Sequence, residues 1–103
     1  MKLISDPLGN EILVRETVLD LDEHLIESEE IFDDISKVIE KPIMLFKLND
    51  EDIQLYYLRA VGWNKTLLLG VKKINAHYEA VNYEMDPPIE RINELHMKGQ
   101  RLI

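Results

Sequence analysis

The sequence of 103 residues contains no cysteine. This absence excludes disulfide bonds, thiolate nucleophiles and cysteine-based zinc sites, and it is typical of a reducing compartment. The four glycines stand far apart, so neither a Gly-x-Gly-x-x-Gly loop nor a Walker loop is present. No apolar run approaches the roughly 18 to 20 residues that cross a bilayer, and no secretory signal is predicted. The sequence therefore predicts a cytoplasmic protein that has no membrane partner.

Histidine is scarce as well, with three residues in the chain, at positions 24, 77 and 96. No two of them have the four-residue helical spacing that places two metal ligands side by side. The short acidic runs lack the glycine and the terminal glutamate of a calcium loop. We therefore predict neither a metal nor any other cofactor.

Basic residues are outnumbered, because 12 lysines and arginines stand against 20 acidic residues and the formal net charge is −8. Residues 16–40 hold ten acidic residues against Lys37 alone, which is nine net negative charges, so the rest of the chain carries one net positive charge. Such a field repels phosphate on one side and attracts basic proteins there. Residues 27–40 are thus a candidate surface for a basic partner; the simpler interpretation is a solvated helix face that favours solubility.

Length and composition predict a single α+β domain over residues 1–103. The proline and glycine of residues 6–10 lie between two short apolar runs and predict an N-terminal β-hairpin. Asp20 is followed three residues later by a glutamate, a capping-box pattern, and Ser28 gives a second helix start. The acidic segment is therefore predicted as one bent helix or two, which end before Pro42.

The second half of the chain has the features of β-strands. Its aliphatic and aromatic runs cover residues 43–46, 53–61, 66–71 and 78–85. The short turns between them predict a four-stranded antiparallel meander, in which the nearly continuous apolar run of residues 66–71 is a central strand buried on both faces. Asp86 is the expected N-cap of a C-terminal helix that ends at Gly99. The predicted order is β-β-α-β-β-β-β-α, a two-layer fold with the helices on one face of the sheet.

A few side chains suit metal-independent cleavage of RNA. This chemistry needs a base for the 2′-hydroxyl, a cation for the phosphorane charge and an acid for the leaving oxygen. The candidate catalytic residues are His24, Tyr57, Arg59 and Lys72, and the candidate substrate-binding residues are His77 and Tyr83. Structural roles are the alternative. His24 would cap a helix or pair with nearby acids, Tyr56 and Tyr57 would be core and rim residues of a sheet, and Lys72 and Lys73 would protect an edge strand.

Several short motifs also carry a resemblance to a known class of proteins. They are Ile4-x-Asp6-Pro7-x-Gly9, His24-Leu25-Ile26, Ile35-x-x-Val38-Ile39-Glu40-x-Pro42, Tyr56-Tyr57-x-Arg59 and the strand from Leu67 to Val71. In this succession the chain resembles phage-associated nuclease domains of the barnase, EndoU, colicin and RelE class, the BECR fold, from residue 4 to about residue 83. The resemblance implies a helix followed by an antiparallel sheet, and RNA cleavage in a phage, mobile-element or toxin setting.

The chain departs from that class at two places. Residues 27–30 read Glu-Ser-Glu-Glu where the class often has a second histidine, and Val81-Asn82-Tyr83 stands where it tends to have a hydroxyl residue. Acidic residues beside His24 would also repel an RNA backbone. A catalytically degenerate ribonuclease-like domain is therefore an alternative to an active one. The second alternative is a non-catalytic module of inhibitor or antitoxin type that binds a basic partner.

Overall fold

The computed structural model describes residues 2–15, 28–49 and 51–103. Within these ranges the chain forms β1 (Lys2–Ser5), β2 (Glu11–Val14), α1 (Ser28–Glu40), β3 (Met44–Lys47), β4 (Leu55–Gly62), β5 (Lys65–Ile74), β6 (His77–Met85), α2 (Ile89–Lys98) and β7 (Gln100–Arg101). The predicted α+β class is confirmed. None of the helices in this part of the chain is long and apolar enough to cross a membrane.

All seven of these strands belong to one sheet, in the order β1-β2-β6-β5-β4-β3-β7. The N-terminal hairpin and the antiparallel meander from β3 to β6 are present as predicted. The hairpin extends the sheet because β2 pairs in parallel with β6, with Ile12 opposite Tyr78. The sequence predicted neither this pairing nor β7, because each rests on only two residue pairs and leaves no periodic pattern.

The sheet separates two apolar clusters. The α1-side cluster includes Ile35, Ile39, Tyr57, Leu69 and Val71, and the α2-side cluster includes Phe46, Tyr56, Leu58, Leu68 and Leu95. The two helices therefore lie on opposite faces of the sheet, and the prediction of a two-layer fold with both helices on one face is wrong. The central strand β5 is buried on both faces, as predicted. Its apolar side chains therefore need a helix on each side of the sheet, and one layer of helices cannot cover both.

The acidic segment contributes α1, which begins at Ser28, the second of the two predicted starts. The helix ends at Glu40, two residues before Pro42, as predicted. Asp20, the first predicted start, lies outside the described residues. Whether the segment holds one bent helix or two therefore stays a prediction.

The turn of the N-terminal hairpin is tied to the core by the carboxylate of Asp6. This carboxylate accepts hydrogen bonds from the backbone N–H groups of Leu8 and Asn10, from the Asn10 amide and from the Tyr57 hydroxyl. Gly9 takes a φ of 89° in the same turn, a conformation that glycine adopts at little cost. The turn predicted from residues 6–10 is thus confirmed.

The predicted N-cap of the C-terminal helix is wrong. The N-cap of α2 is Pro88, and no side chain caps it. Asp86 instead has a φ of 50°, and its carboxylate accepts a hydrogen bond of 2.9 Å from the backbone N–H of Thr66. Its own N–H donates to the Thr66 carbonyl at 2.7 Å, so Asp86 closes the β5–β6 ladder rather than the helix. The predicted stop at Gly99 is confirmed, because its N–H donates to the Leu95 carbonyl.

Candidate functional site

Of the six predicted site residues, one lies outside the described residues and one is buried. His24 lies outside the described residues. Tyr57 is fully buried, and its hydroxyl donates to Asp6 at 2.5 Å. Burial first, and then the hydrogen bond and charge of Asp6, raise the pKa of Tyr57 far above its ordinary value. A buried phenol that donates to an internal carboxylate has no proton to give to a substrate in solvent, so its role is structural.

Arg59 and Tyr83 lie on the α1 side of the sheet. Arg59 Nη1 donates to the backbone carbonyl of Lys41 at 2.9 Å, just beyond the end of α1. The groove at this point has a volume of about 440 Å³ and is also lined by Asp33, Ser36, Lys37 and Glu40. Tyr83 packs against the α1-side cluster and also lines a groove on the other face, between β6 and α2. The described part of the candidate acidic surface thus mixes acidic residues with cations.

Lys72 and His77 lie on the opposite face. Their chain neighbours Val71 and Tyr78 pack against the α1-side cluster, and successive side chains of a strand point to opposite faces. Arg59 is paired with Leu67, five positions before Lys72 on β5, which separates the two cations by about 16 Å along the sheet as well as by face. The structure therefore separates Arg59 from Lys72 and brings Lys72 close to His77.

Glu79 is the centre of this second group. Arg15 Nε donates to its carboxylate, and His77 Nε2 lies 3.6 Å from Glu79 Oε2. Lys72 is the cross-strand partner of Glu79, so the two side chains leave the sheet side by side. The Glu79 side chain is 13% exposed, whereas those of Arg15 and His77 are about half exposed. We name Arg15, Lys72, His77 and Glu79 the Glu79 cluster.

The topology of the sheet assembles the Glu79 cluster from three strands. Because β2 runs parallel to β6, Leu13 pairs with Glu79, and Arg15 follows two residues later on the same face. Glu11 precedes Leu13 by two residues and adds a negative charge to that face. The α2-side cluster is formed by β3, β4 and β5, so neither described helix covers the β2–β6 part of this face. Within the part of the chain that the structure describes, the Glu79 cluster therefore lies on a sheet surface with no helix over it.

A groove runs beside this surface, between β6 and α2. It has a volume of about 300 Å³ and is lined by Tyr56, Leu68, Asn82, Tyr83, Glu84 and Arg91, and we name it the α2 groove. Arg91 Nη2 donates to the Tyr56 hydroxyl at 3.0 Å, and Arg91 Nε lies 3.6 Å from Glu84 Oε2. Burial lowers the pKa of Arg91, but the Tyr56 hydrogen bond and the charges of Glu84 and Glu94 outweigh it, so the pKa is raised. The guanidinium therefore stays charged.

Gly70 makes room for the side chain of Asn82, which lies between the Glu79 cluster and the α2 groove. A Cβ at this position would lie 2.3 Å from Asn82 Oδ1, far inside contact distance. The pairing between β5 and β6 shifts here, since Gly70 pairs with Asn82 whereas Val71 pairs with Ala80. This irregularity places Asn82 on the α2 side, between Glu79 and the α2 groove along β6.

Sequence reasoning selected Lys72 and His77 but missed their shared partner. The spacing His77-x-Glu79 at the start of a predicted strand was a usable signal, because it places an imidazole and a carboxylate on one face. Among residues 2–15, 28–49 and 51–103, no group of three or more histidine and acidic side chains is arranged to hold a metal ion. The arrangement offers acid–base groups and cations.

No family model, no curated protein and no solved structure matches this chain. The resemblance to the nuclease class therefore stays a prediction, and function is argued from the geometry alone.

Proposed function

We propose that the protein is a divergent ribonuclease-like domain whose RNA-binding surface is the open sheet face around Glu79. One observation carries the proposal. The Glu79 carboxylate lies between Arg15 and His77, with Lys72 across the strand, on a face that neither described helix covers. A carboxylate, an imidazole and two cations thus converge on one accessible surface.

These groups are the parts that metal-independent RNA cleavage uses. The Glu79 carboxylate accepts the proton of the 2′-hydroxyl, and the His77 imidazolium donates a proton to the 5′-oxygen that leaves. Arg15 and Lys72 donate hydrogen bonds to the phosphate oxygens as negative charge develops on them. His77 and Glu79 are two strand positions apart, about 6.6 Å, so both side chains can contact one phosphate.

Electrostatics sets the conditions under which RNA binds. With His77 neutral, the charges of Arg15 and Lys72 balance those of Glu79 and Glu11, while the whole chain carries −8. A surface without net charge repels a polyanion less than the acidic residues 16–40 do, but it gives low affinity. Cleavage is therefore expected to be fastest at low ionic strength.

The experiment is incubation of single-stranded RNA with the full chain in the presence of a chelator. We expect cleavage that leaves 2′,3′-cyclic phosphate ends, and a loss of about a hundred-fold or more in His77→Ala and in Glu79→Gln. His96→Ala is the matched control, because His96 lies on α2 and packs edge-on against Phe46 of β3, away from the cluster. His24→Ala measures the contribution of the other predicted histidine. Intact RNA at high protein concentration refutes the proposal.

A second candidate is a non-catalytic module that binds a basic partner, of inhibitor or antitoxin type. It is favoured because two of the predicted catalytic residues, Tyr57 and Arg59, donate hydrogen bonds to groups of the protein itself. The test is capture of a basic protein that weakens as salt is added and that is lost in the triple charge reversal Glu29→Lys, Glu30→Lys and Asp33→Lys. Capture that salt and the triple variant leave unchanged contradicts this candidate.

A further inference from the structure

The α2 groove places the guanidinium group of Arg91 beside the carboxylate of Glu84. Arg91 is held by the Tyr56 hydroxyl at 3.0 Å, and its guanidinium carbon lies 5.0 Å from the centre of the Tyr56 ring. The Glu84 carboxylate is next to it, with Oε2 at 3.6 Å from Arg91 Nε. The groove therefore presents guanidinium donors and carboxylate acceptors side by side, over the apolar side chain of Leu68.

We propose that the α2 groove binds a guanine base and that it is the base-recognition site of the ribonuclease-like surface; the second part rests on the proposed function. Guanine carries two neighbouring acceptors, O6 and N7, next to two neighbouring donors, N1–H and N2–H. An arginine pairs with O6 and N7 through two hydrogen bonds, and a carboxylate accepts from base N–H groups. Arg91 and Glu84 thus match adjacent edges of the same base.

The other bases fit this order of groups less well. Adenine has its amino donor at the position of O6, where it would face the donors of Arg91, and it lacks the N1–H and N2–H pair. Each pyrimidine offers a single N–H group, or one amino group, to the carboxylate. A ligand that leaves the hydrogen-bonding groups of Arg91 and Glu84 unpaired is therefore expected to bind less tightly.

A phosphate group is a poorer occupant than a base. The charge of Arg91 is already balanced by Glu84 and by Glu94, whose Oε2 lies 3.8 Å from Arg91 Nη1. A phosphate would meet the Glu84 carboxylate at close range, and like charges repel. A neutral base gains hydrogen bonds from both side chains without this cost.

The position and size of the α2 groove agree with a base-recognition role. Asn82 lies three residues after Glu79 on the same strand, and Glu84 follows two residues later, so the groove begins about 10 Å from the cluster. Its volume of about 300 Å³ is at the low end of ligand pockets. The groove therefore suits one base of an RNA strand whose neighbouring phosphate lies at the Glu79 cluster.

The test uses uncharged nucleosides as probes, so that no phosphate contributes. Guanosine and adenosine are titrated into the full chain and followed by NMR chemical shifts. We expect guanosine to bind at least ten-fold more tightly than adenosine, and Glu84→Gln to remove most of that preference. Glu94→Gln is the matched control, because Glu94 also pairs with Arg91 but does not line the α2 groove, and we expect it to bind guanosine as the parent chain does.

Two results overturn the inference: equal binding of the two nucleosides, or guanosine binding that Glu84→Gln leaves unchanged. Arg91→Lys gives an independent check, because it keeps the charge and removes the two-fold hydrogen bonding. The outcome is separable from that of the proposed function. His77→Ala should abolish RNA cleavage and leave guanosine binding intact. Guanosine binding without any RNA cleavage would refute the proposed function alone.

Discussion

The two faces of the sheet use similar residues in opposite ways, as two consecutive tyrosines show. On the α1 face Tyr57 is fully buried, and its hydroxyl donates to the internal carboxylate of Asp6. On the α2 face the Tyr56 hydroxyl accepts a hydrogen bond from Arg91 in a groove open to solvent. The hydroxyl on the α1 face is thus turned inward and contributes to stability. The hydroxyl on the α2 face lies where a ligand can reach it, in the groove for which we propose base binding.

The largest expected loss of stability comes from a substitution in the α1-side cluster. Leu69 is fully buried in the α1-side cluster at the centre of β5. Leu69→Ala removes its contacts and leaves a cavity, and should lower the free energy of unfolding by about 3 kcal/mol, measured by urea denaturation.

Leu95→Ala is the matched change on the other face, where Leu95 is the buried residue of α2. We expect the free energy of unfolding to fall by about 2 kcal/mol, because α2 covers only part of its face of the sheet and can move into the cavity that the substitution leaves. Met97→Ala, at a side chain that is 87% exposed, serves as the control and should change stability by less than about 0.5 kcal/mol. An equal loss in the two leucine variants would contradict the difference between the faces.

Substitution of Tyr57 and of Tyr56 by phenylalanine compares the two faces through smaller changes in the free energy of unfolding. Tyr57→Phe removes a hydrogen bond to a buried carboxylate and should cost about 2 kcal/mol in the free energy of unfolding. Tyr56→Phe should cost less than about 1 kcal/mol, because water replaces the lost partner of Arg91 in the open groove. Both values come from urea denaturation at neutral pH. A larger loss in Tyr56→Phe than in Tyr57→Phe would show that the α2 face, too, is built for stability.

The elements of this fold were predictable because their patterns are local. Ile31, Ile35 and Val38 recur at helical spacing and are buried in α1, and Pro42 marks its end. The apolar run of residues 66–71 gave the central strand. The opposite placement of the helices was implied by that same run, since a strand that is apolar on both faces cannot be covered from one side.

The candidate site was predictable only in part, because it depends on pairings between distant segments. Lys72 and His77 were identified by their chemistry. Their convergence on Glu79 requires the register of β5 with β6, and the approach of Arg15 requires the parallel pairing of β2 with β6. Two residue pairs define that parallel contact, too few for a sequence pattern. The position of Asn82 depends in turn on a strand irregularity at Gly70.

Alkaline pH tests how well the α1 face excludes solvent, because it acts on the proton of the Tyr57 hydroxyl. The pKa of this hydroxyl is raised in the folded chain by burial and by Asp6, whereas in the unfolded chain it is about 10. Above pH 10 the unfolded chain therefore loses a proton that the folded chain keeps. The folded state binds more protons, so stability falls as pH rises. The contribution of this group is full below pH 10 and declines by up to about 1.4 kcal/mol for each pH unit above it.

Urea denaturation at pH 9 and pH 11 measures this decline, and Tyr57→Phe isolates it. The variant has no hydroxyl at this position, so the difference in stability between the two chains should shrink by about 1.4 kcal/mol between these pH values. Phenolate absorbance of the folded parent chain provides a second measurement, in which one tyrosine should resist titration until the protein unfolds. A constant difference between the two chains would mean that Tyr57 ionises within the fold, and that the α1 face admits solvent as the α2 face does.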